Sequence, residues 1–183
     1  LYSCNGIILL MIFLNFARAS SQFKNKELTI YDTKQGILVD IFYGRNNLTF
    51  QNGQLSQSEI NFASNNNRLH KGASTQVTIN PNQNSQNHGI LIKNNIMYIG
   101  SRKVYIPDSL LHLTKAKIAD VILLNKRIKV NYKEKSKLVN KTIVLPRYLS
   151  PKQTKFFITY FAGNKIHNIK SDGYYYLDLS KSH

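Results

Sequence analysis

Metal-dependent hydrolysis needs clustered imidazoles and carboxylates, because zinc is held by neutral histidine and by aspartate, with a water as the nucleophile. The chain has five histidines, His70, His88, His112, His167 and His183, and none has another two, three or four positions away. His70 and His88 stand in polar stretches, His183 is the last residue, and His112 and His167 read as surface or edge histidines rather than ligands. The one cysteine, Cys4, lies in an apolar run, so neither an intrachain disulfide nor a cysteine-based zinc site nor a thiol nucleophile is expected. No nucleophile elbow, P-loop or dinucleotide-binding glycine pattern is present. The side chains left with chemistry to offer are cations: Lys126, Arg127, Lys129, Lys133, Lys135, Lys137 and Lys141, with Tyr132 among them, followed by Arg147, Lys152 and Lys155. Dispersed cations suit a phosphate backbone, which asks for charge more than for fixed geometry. No aromatic spacing suited to stacking single-stranded bases accompanies them. The expectation is therefore no catalysis, no cofactor and no metal, with these lysines and Arg127 as candidate DNA contacts. A merely solvated basic face is the competing reading.

The elements that must carry this face follow from composition and pattern. At 183 residues the chain can build one domain with a real core and a short extra segment. Eleven Tyr and nine Phe, with many Ile and Val, favour strands. The net charge of +16 is uneven: residues 1–100 carry +4 and residues 101–183 carry +12. Such a half attracts polyanions, either nucleic acid or an anionic membrane surface, although an AT-rich coding sequence would also favour lysine. A single cysteine fits a cytosolic chain, or a periplasmic one that does not rely on disulfides.

Residues 6–16 read G-I-I-L-L-M-I-F-L-N-F, with Arg18, Lys24 and Lys26 after them. Counted from Leu1, the apolar stretch is about 17 residues, at the short end of what spans a bilayer. Residues 1–19 are read as the end of a transmembrane helix. The alternatives are a signal peptide, with Ala17-Arg18-Ala19 as a small-residue cleavage pattern, and a buried core helix. Residues 20–27 form a polar linker.

Strands are expected at 28–31, 37–43 and 48–51, joined by turns at 32–36 and 44–47 and closed by Asn52-Gly53. A short helix is expected around 58–63, a strand at 75–79, and a polar loop at 80–88. A hairpin around Asn94-Asn95 and a strand at 103–106 follow, then a turn at Pro107-Asp108 with Ser109 as an N-cap. Residues 121–124 and 141–145 read as strands buried on both faces, and 128–137 as a basic helix. Ser150-Pro151 opens a helix through 161 or 162, Gly163-Asn164 ends it, and strands at 166–169 and 174–179 flank a turn at Asp172-Gly173.

Two of these segments carry a family resemblance. Residues 28–40 (L-T-I-Y-D-T-K-Q-G-I-L-V-D) resemble the opening strand, D-V-G-Q-G-D turn and second strand of the metallo-β-lactamase-like domain at the C-terminus of the ComEC family of inner-membrane DNA channels. Residues 118–127 (I-A-D-V-I-L-L-N-K-R) resemble that domain's late strand, A-D-V-L, but Asn125-Lys126-Arg127 replaces the histidines that follow it in the family. The matching positions are Asp32, Gly36, Asp40, Asp120 and, in the closing turn, Gly173. The resemblance implies an α+β, αββα-like fold over residues 28–183, a degenerate version of a two-zinc hydrolase. The family's H-x-H-x-D-H motif is absent, and the segment before Asp120 is too short for the full ligand region.

By that resemblance the chain is a non-catalytic appendage of a competence channel in the bacterial inner membrane, with its soluble domain in the periplasm. Its partners would be the membrane, the rest of the channel and single-stranded DNA. Two rival readings stand beside it: a secreted or periplasmic β-rich binding or structural protein with a cleaved leader, and a basic nucleic-acid-binding module without a membrane link.

Overall fold

Successive side chains of a strand point to opposite faces, so the first three strands give the first sheet one face for a core and one for a helix. The computed structural model describes residues 2–23, 26–73, 75–79, 85–87, 89–108, 110–125, 128–130 and 138–180. A long helix, α1 (Tyr2–Phe23), precedes β1 (Lys26–Ile30), β2 (Gly36–Tyr43) and β3 (Asn46–Gly53), which form an antiparallel meander. Helix α2 (Gln57–Lys71) carries the chain back to β4 (Thr75–Ile79), parallel to β3, and β12 (Tyr175–Asp178) closes the other edge beside β1. The order is β12-β1-β2-β3-β4.

The second sheet begins with β5 (Ser85–Asn87), β6 (Ile90–Lys93), β7 (Ile96–Ile99) and β8 (Arg102–Tyr105), all antiparallel neighbours. It continues with β9 (Val121–Leu123), β10 (Thr142–Leu145) and β11 (Lys165–Asn168), each parallel to the strand before it. Helix α3 (Leu113–Ile118) lies between β8 and β9, α4 (Pro151–Tyr160) between β10 and β11, and α5 (Ile169–Asp172) before β12. Parallel strands need such crossovers, and their helices cover the outer face of the sheet.

The inner faces of the two sheets share one apolar core. Leu28, Ile30, Val39 and Phe50 from the first sheet pack with Ile90, Met97, Val121 and Val144 from the second. Beyond the second sheet, Phe157, Tyr160 and Phe161 of the α4 segment and Ala116 of α3 pack on Ile122, Ile143 and Leu145. Beyond the first sheet, α2 adds Ile60 and Ala63, with Leu55 just before it, over Tyr31 and Leu38. The domain is thus a mixed α/β sandwich of two sheets with helices on both outer faces, in the αββα order expected from the sequence, preceded by an apolar helix.

Because its apolar contact is small, α2 is held by polar bonds. Arg68 grips Asp40 through Nε to Oδ2 at 2.7 Å and Nη2 to Oδ1 at 2.9 Å, and Asp40 is fully buried. Thr49 donates to Asp40 Oδ1 at 2.7 Å, Tyr31 donates to Oδ2 at 3.0 Å, and Asn67 donates to the Tyr31 hydroxyl at 2.9 Å. Burial, then the charge of Asp40, pushes the Tyr31 hydroxyl far up, so it stays a donor. At the end of α2, Lys71 meets the buried Glu27 at 2.5 Å.

The structure extends several expected elements. Helix α2 spans 15 residues rather than the short 58–63 segment. Ser56 caps it by accepting the Glu59 N–H, and Gly72, at φ 65°, ends it in the left-handed region. Strand β3 runs through Asn52-Gly53 instead of turning there, because Gly53 pairs with Gly36. A Cβ on Gly36 would lie 2.6 Å from the Asn52 carbonyl oxygen, so that pairing needs glycine. Asn94 and Asn95 both take positive φ, as a two-residue hairpin requires. The polar stretch at 80–88 contains β5 at its far end, and α3 starts at Leu113, later than a cap at Ser109 would give. Ser109, residues 80–84 and residues 131–137 of the expected basic helix lie outside the described residues.

Arg68→Met would leave Asp40 buried without its cation, and should cost about 3–5 kcal/mol in urea unfolding of the full chain. A loss below about 1 kcal/mol would assign the pair the value of an exposed one.

Candidate functional site

In sheets with parallel strands, ligands bind outside the carboxyl ends of the strands. Here those ends belong to β8, β9, β10 and β11, followed by Pro107, Asn125, Arg147 and Ile169. The rim is closed by the chain's own side chains. Asn125 is buried and donates to the carbonyls of Pro107 and Asp108 at 2.7 and 3.0 Å. Arg147, just past β10, reaches across the sandwich to Asp32, just past β1, with Nη1 to Oδ2 at 2.7 Å. Both partners are partly exposed, so the pair contributes at most about 1 kcal/mol to stability. Asp32 Oδ1 is buried without a hydrogen-bond partner. Tyr148 follows Arg147 and packs against the inter-sheet core, where burial pushes its hydroxyl up from 10.0.

The family-matching residues are not brought together. Asp32 stands at this rim. Asp120 stands at the opposite one, before the first residue of β9, where its carboxylate accepts the Lys103 N–H at 2.8 Å and its carbonyl accepts the Thr142 N–H at 3.0 Å. Asp40 lies on the outer face of the first sheet beneath α2. Gly36 pairs with Gly53, and the Gly173 carbonyl lies 3.0 Å from His167 Nε2. His167 packs edge-on against the Tyr175 ring at 5.1 Å. His112 is exposed before α3, its backbone N–H donating to the Tyr105 hydroxyl, and His70 is exposed near the end of α2. Among the described residues no three His, Cys, Asp or Glu side chains stand close enough to hold a metal ion. His88 and His183 lie outside the described residues.

The carboxylates are committed elsewhere. Eight of the nine Asp and Glu residues are described, and each takes a hydrogen bond from within the chain. Glu59 accepts the Lys34 N–H at 2.6 Å and Asp108 accepts from Asn95 at 2.6 Å. Glu27 meets Lys71, Asp32 meets Arg147 and Asp40 meets Arg68.

Of the candidate DNA contacts, two are described. Lys129 is exposed and bridges to Leu110. Lys141 spends its ammonium on the Lys117 carbonyl at 2.6 Å, at the C-terminal turn of α3, where a cation complements the helix dipole. Lys126, Arg127, Lys133, Lys135 and Lys137 lie outside the described residues. The sequence reading missed two cations of the helical layer: Lys117 of α3 and Lys170 of α5 are exposed, as are Lys152 and Lys155 of α4. A groove of about 520 Å³ lies beside α4, lined by Leu149, Pro151 and Ile158 with Lys155 and Lys170. Helical spacing within α3 and α4, neither of which contains an acid, was the signal for this face.

The raised Tyr148 hydroxyl makes a pH prediction. Unfolded tyrosine titrates at about 10 and the folded one higher, so its contribution is fully present below pH 10 and is lost as pH rises through the folded value. Tyr148→Phe should flatten the alkaline decline of urea stability and leave stability at neutral pH nearly unchanged. An unaltered alkaline slope would contradict this.

No family model and no curated protein matches the chain. Among solved structures it is similar to the metallo-beta-lactamase fold protein YhfI from Bacillus subtilis, at 12% identity and a TM-score of 0.49, over 84% of this chain and 100% of that one. That distance carries no argument about activity.

Proposed function

We propose that this chain is a membrane-attached, non-catalytic sandwich domain that binds single-stranded DNA as the soluble appendage of a bacterial inner-membrane uptake channel, on the periplasmic side. One observation carries the binding part of this reading: the described carboxylates are committed inside the chain, while the helical layer over the second sheet is rich in exposed lysines. A surface of that kind takes its counter-charge from outside, and a phosphate backbone supplies it. The membrane part rests on α1, whose segment Gly6–Phe23 is long and apolar enough to cross a bilayer and has no buried residues within it. The channel and competence assignment rests on the sequence resemblance alone.

A secreted protein with a cleaved leader remains the second reading, favoured by Ala17-Arg18-Ala19 at the end of the apolar run.

Fluorescence anisotropy of a labelled oligothymidylate with the full chain in detergent micelles tests the binding reading. Affinity should fall steeply with salt, with a slope of about 0.7 for each phosphate neutralised. Replacing Lys126, Arg127 and Lys129 with glutamine should lower both the affinity and the slope. No anisotropy change at low salt would overturn DNA binding.

A further inference from the structure

Helix α1 is seated against the domain, and its seat is chemically distinctive. Its last turns touch two elements. Gln22 Nε2 donates to the His70 carbonyl at 3.4 Å, at the end of α2. The Phe23 carbonyl lies against Gly44, in the β2–β3 turn, where a Cβ would come within 3.3 Å. A Cβ on Gly72 would collide with the Gln22 side chain. Along the rest of α1 the apolar side chains are exposed, from Ile7 to Phe16.

The same end of the sandwich gathers three cation–ring contacts. Lys26 Nζ lies 4.9 Å from the centre of the Tyr43 ring, its partner across β1 and β2. The Arg45 guanidinium lies 6.0 Å from the Phe23 ring, and Lys71 Nζ lies 6.0 Å from the Tyr176 ring. Register explains the convergence. Strand β1 starts at Lys26, β2 ends at Tyr43, Arg45 donates to the Gly72 carbonyl at 3.2 Å, and the chain after β12 returns to the Lys26 carbonyl. Arg18 adds a further exposed cation one turn before the seat. The acids nearby are already engaged, Glu27 by Lys71 and Asp178 by Ser180.

An 18-residue apolar span of α-helix measures about 27 Å, close to the hydrocarbon thickness of a bilayer. Its end at Phe23 falls at the depth of the lipid headgroups. Aromatic rings with a polar or cationic edge collect at that depth, and basic side chains beside a membrane helix are drawn to anionic headgroups.

We propose that Lys26, Arg45 and Arg18, with Tyr43, Tyr176 and Phe23, form a collar that seats the sandwich on the anionic headgroup layer of the bilayer that α1 crosses. This rests on the membrane reading of α1 and adds which face of the domain meets the lipid. The collar is distinct from the basic layer of α3 and α4, which lies over the other sheet and is left free for a separate polyanion. Docking would also fix the tilt of the domain relative to α1, because collar and helix share the β2–β3 turn.

The test reconstitutes the full chain into vesicles of phosphatidylcholine alone and of phosphatidylcholine mixed with phosphatidylglycerol, and reads amide hydrogen exchange. Residues 43–46 should exchange more slowly in the anionic vesicles, by about fivefold for each cation engaged, and the difference should vanish at high salt. Lys26→Gln should reduce it, and Lys26→Gln with Arg45→Gln should abolish it, while exchange in β9 and β10 is unchanged. The salt dependence of the unaltered chain tests the collar even where the double variant loosens the turn. A chain that floats with both vesicles but exchanges equally in both overturns the collar alone. A chain that floats with neither overturns the membrane reading of α1 and the collar with it.

Discussion

The Arg68–Asp40 pair is the constraint on which the rest of the first sheet's outer layer depends. Ile60 of α2, helped by Leu55 and Ala63, is too little apolar surface to fix a 15-residue helix. A fully buried carboxylate gripped at both oxygens supplies the missing specificity. Breaking such a pair leaves a bare charge in a dry site, and sliding α2 by one residue would break it. Replacing both partners with well-packed apolar residues could match it in stability, so what the pair contributes is position. That position propagates. The end of α2 sets where Lys71 meets Glu27 and where Gly72 receives Arg45, and these in turn make the seat of α1.

Residues that look alike in the sequence take separate places in the fold. Asp32, Asp40 and Asp120 match aspartates of a hydrolase-like pattern, yet one closes a rim, one locks a helix and one stitches β8 to β9 at the far edge. Each of the eight described acids accepts a hydrogen bond from within the chain.

Strands were legible because alternation is local: Ile37, Val39 and Ile41 face the core and Leu38 and Asp40 face α2, as a period of two dictates. The N-cap at Ser150, with Pro151 at the first helical position, was equally readable, and it is formed as a capping box with Gln153. Composition alone predicts a shorter α2, since Asn65, Asn66 and Asn67 are poor helix formers that tertiary bonds override. The pattern S-x-x-E at Ser56–Glu59 was the available signal for its start. Arg147 and Asp32 are 115 residues apart, and nothing local in either stretch marks them as partners. Lys141 counted as one more surface charge until Lys117 supplied its carbonyl. The cation–ring collar is likewise a product of register, since its members come from five separate elements.

The central claim is that α1 remains part of the protein and holds it in a bilayer. The most direct measurement is alkaline carbonate extraction of bacterial membranes after expression of the chain behind an initiator methionine, followed by the intact mass of the recovered protein. The account predicts a full-length chain of 21.0 kDa, plus any retained initiator methionine, in the carbonate-resistant membrane fraction. A soluble product beginning near Ser20 would contradict it and make the apolar segment a leader.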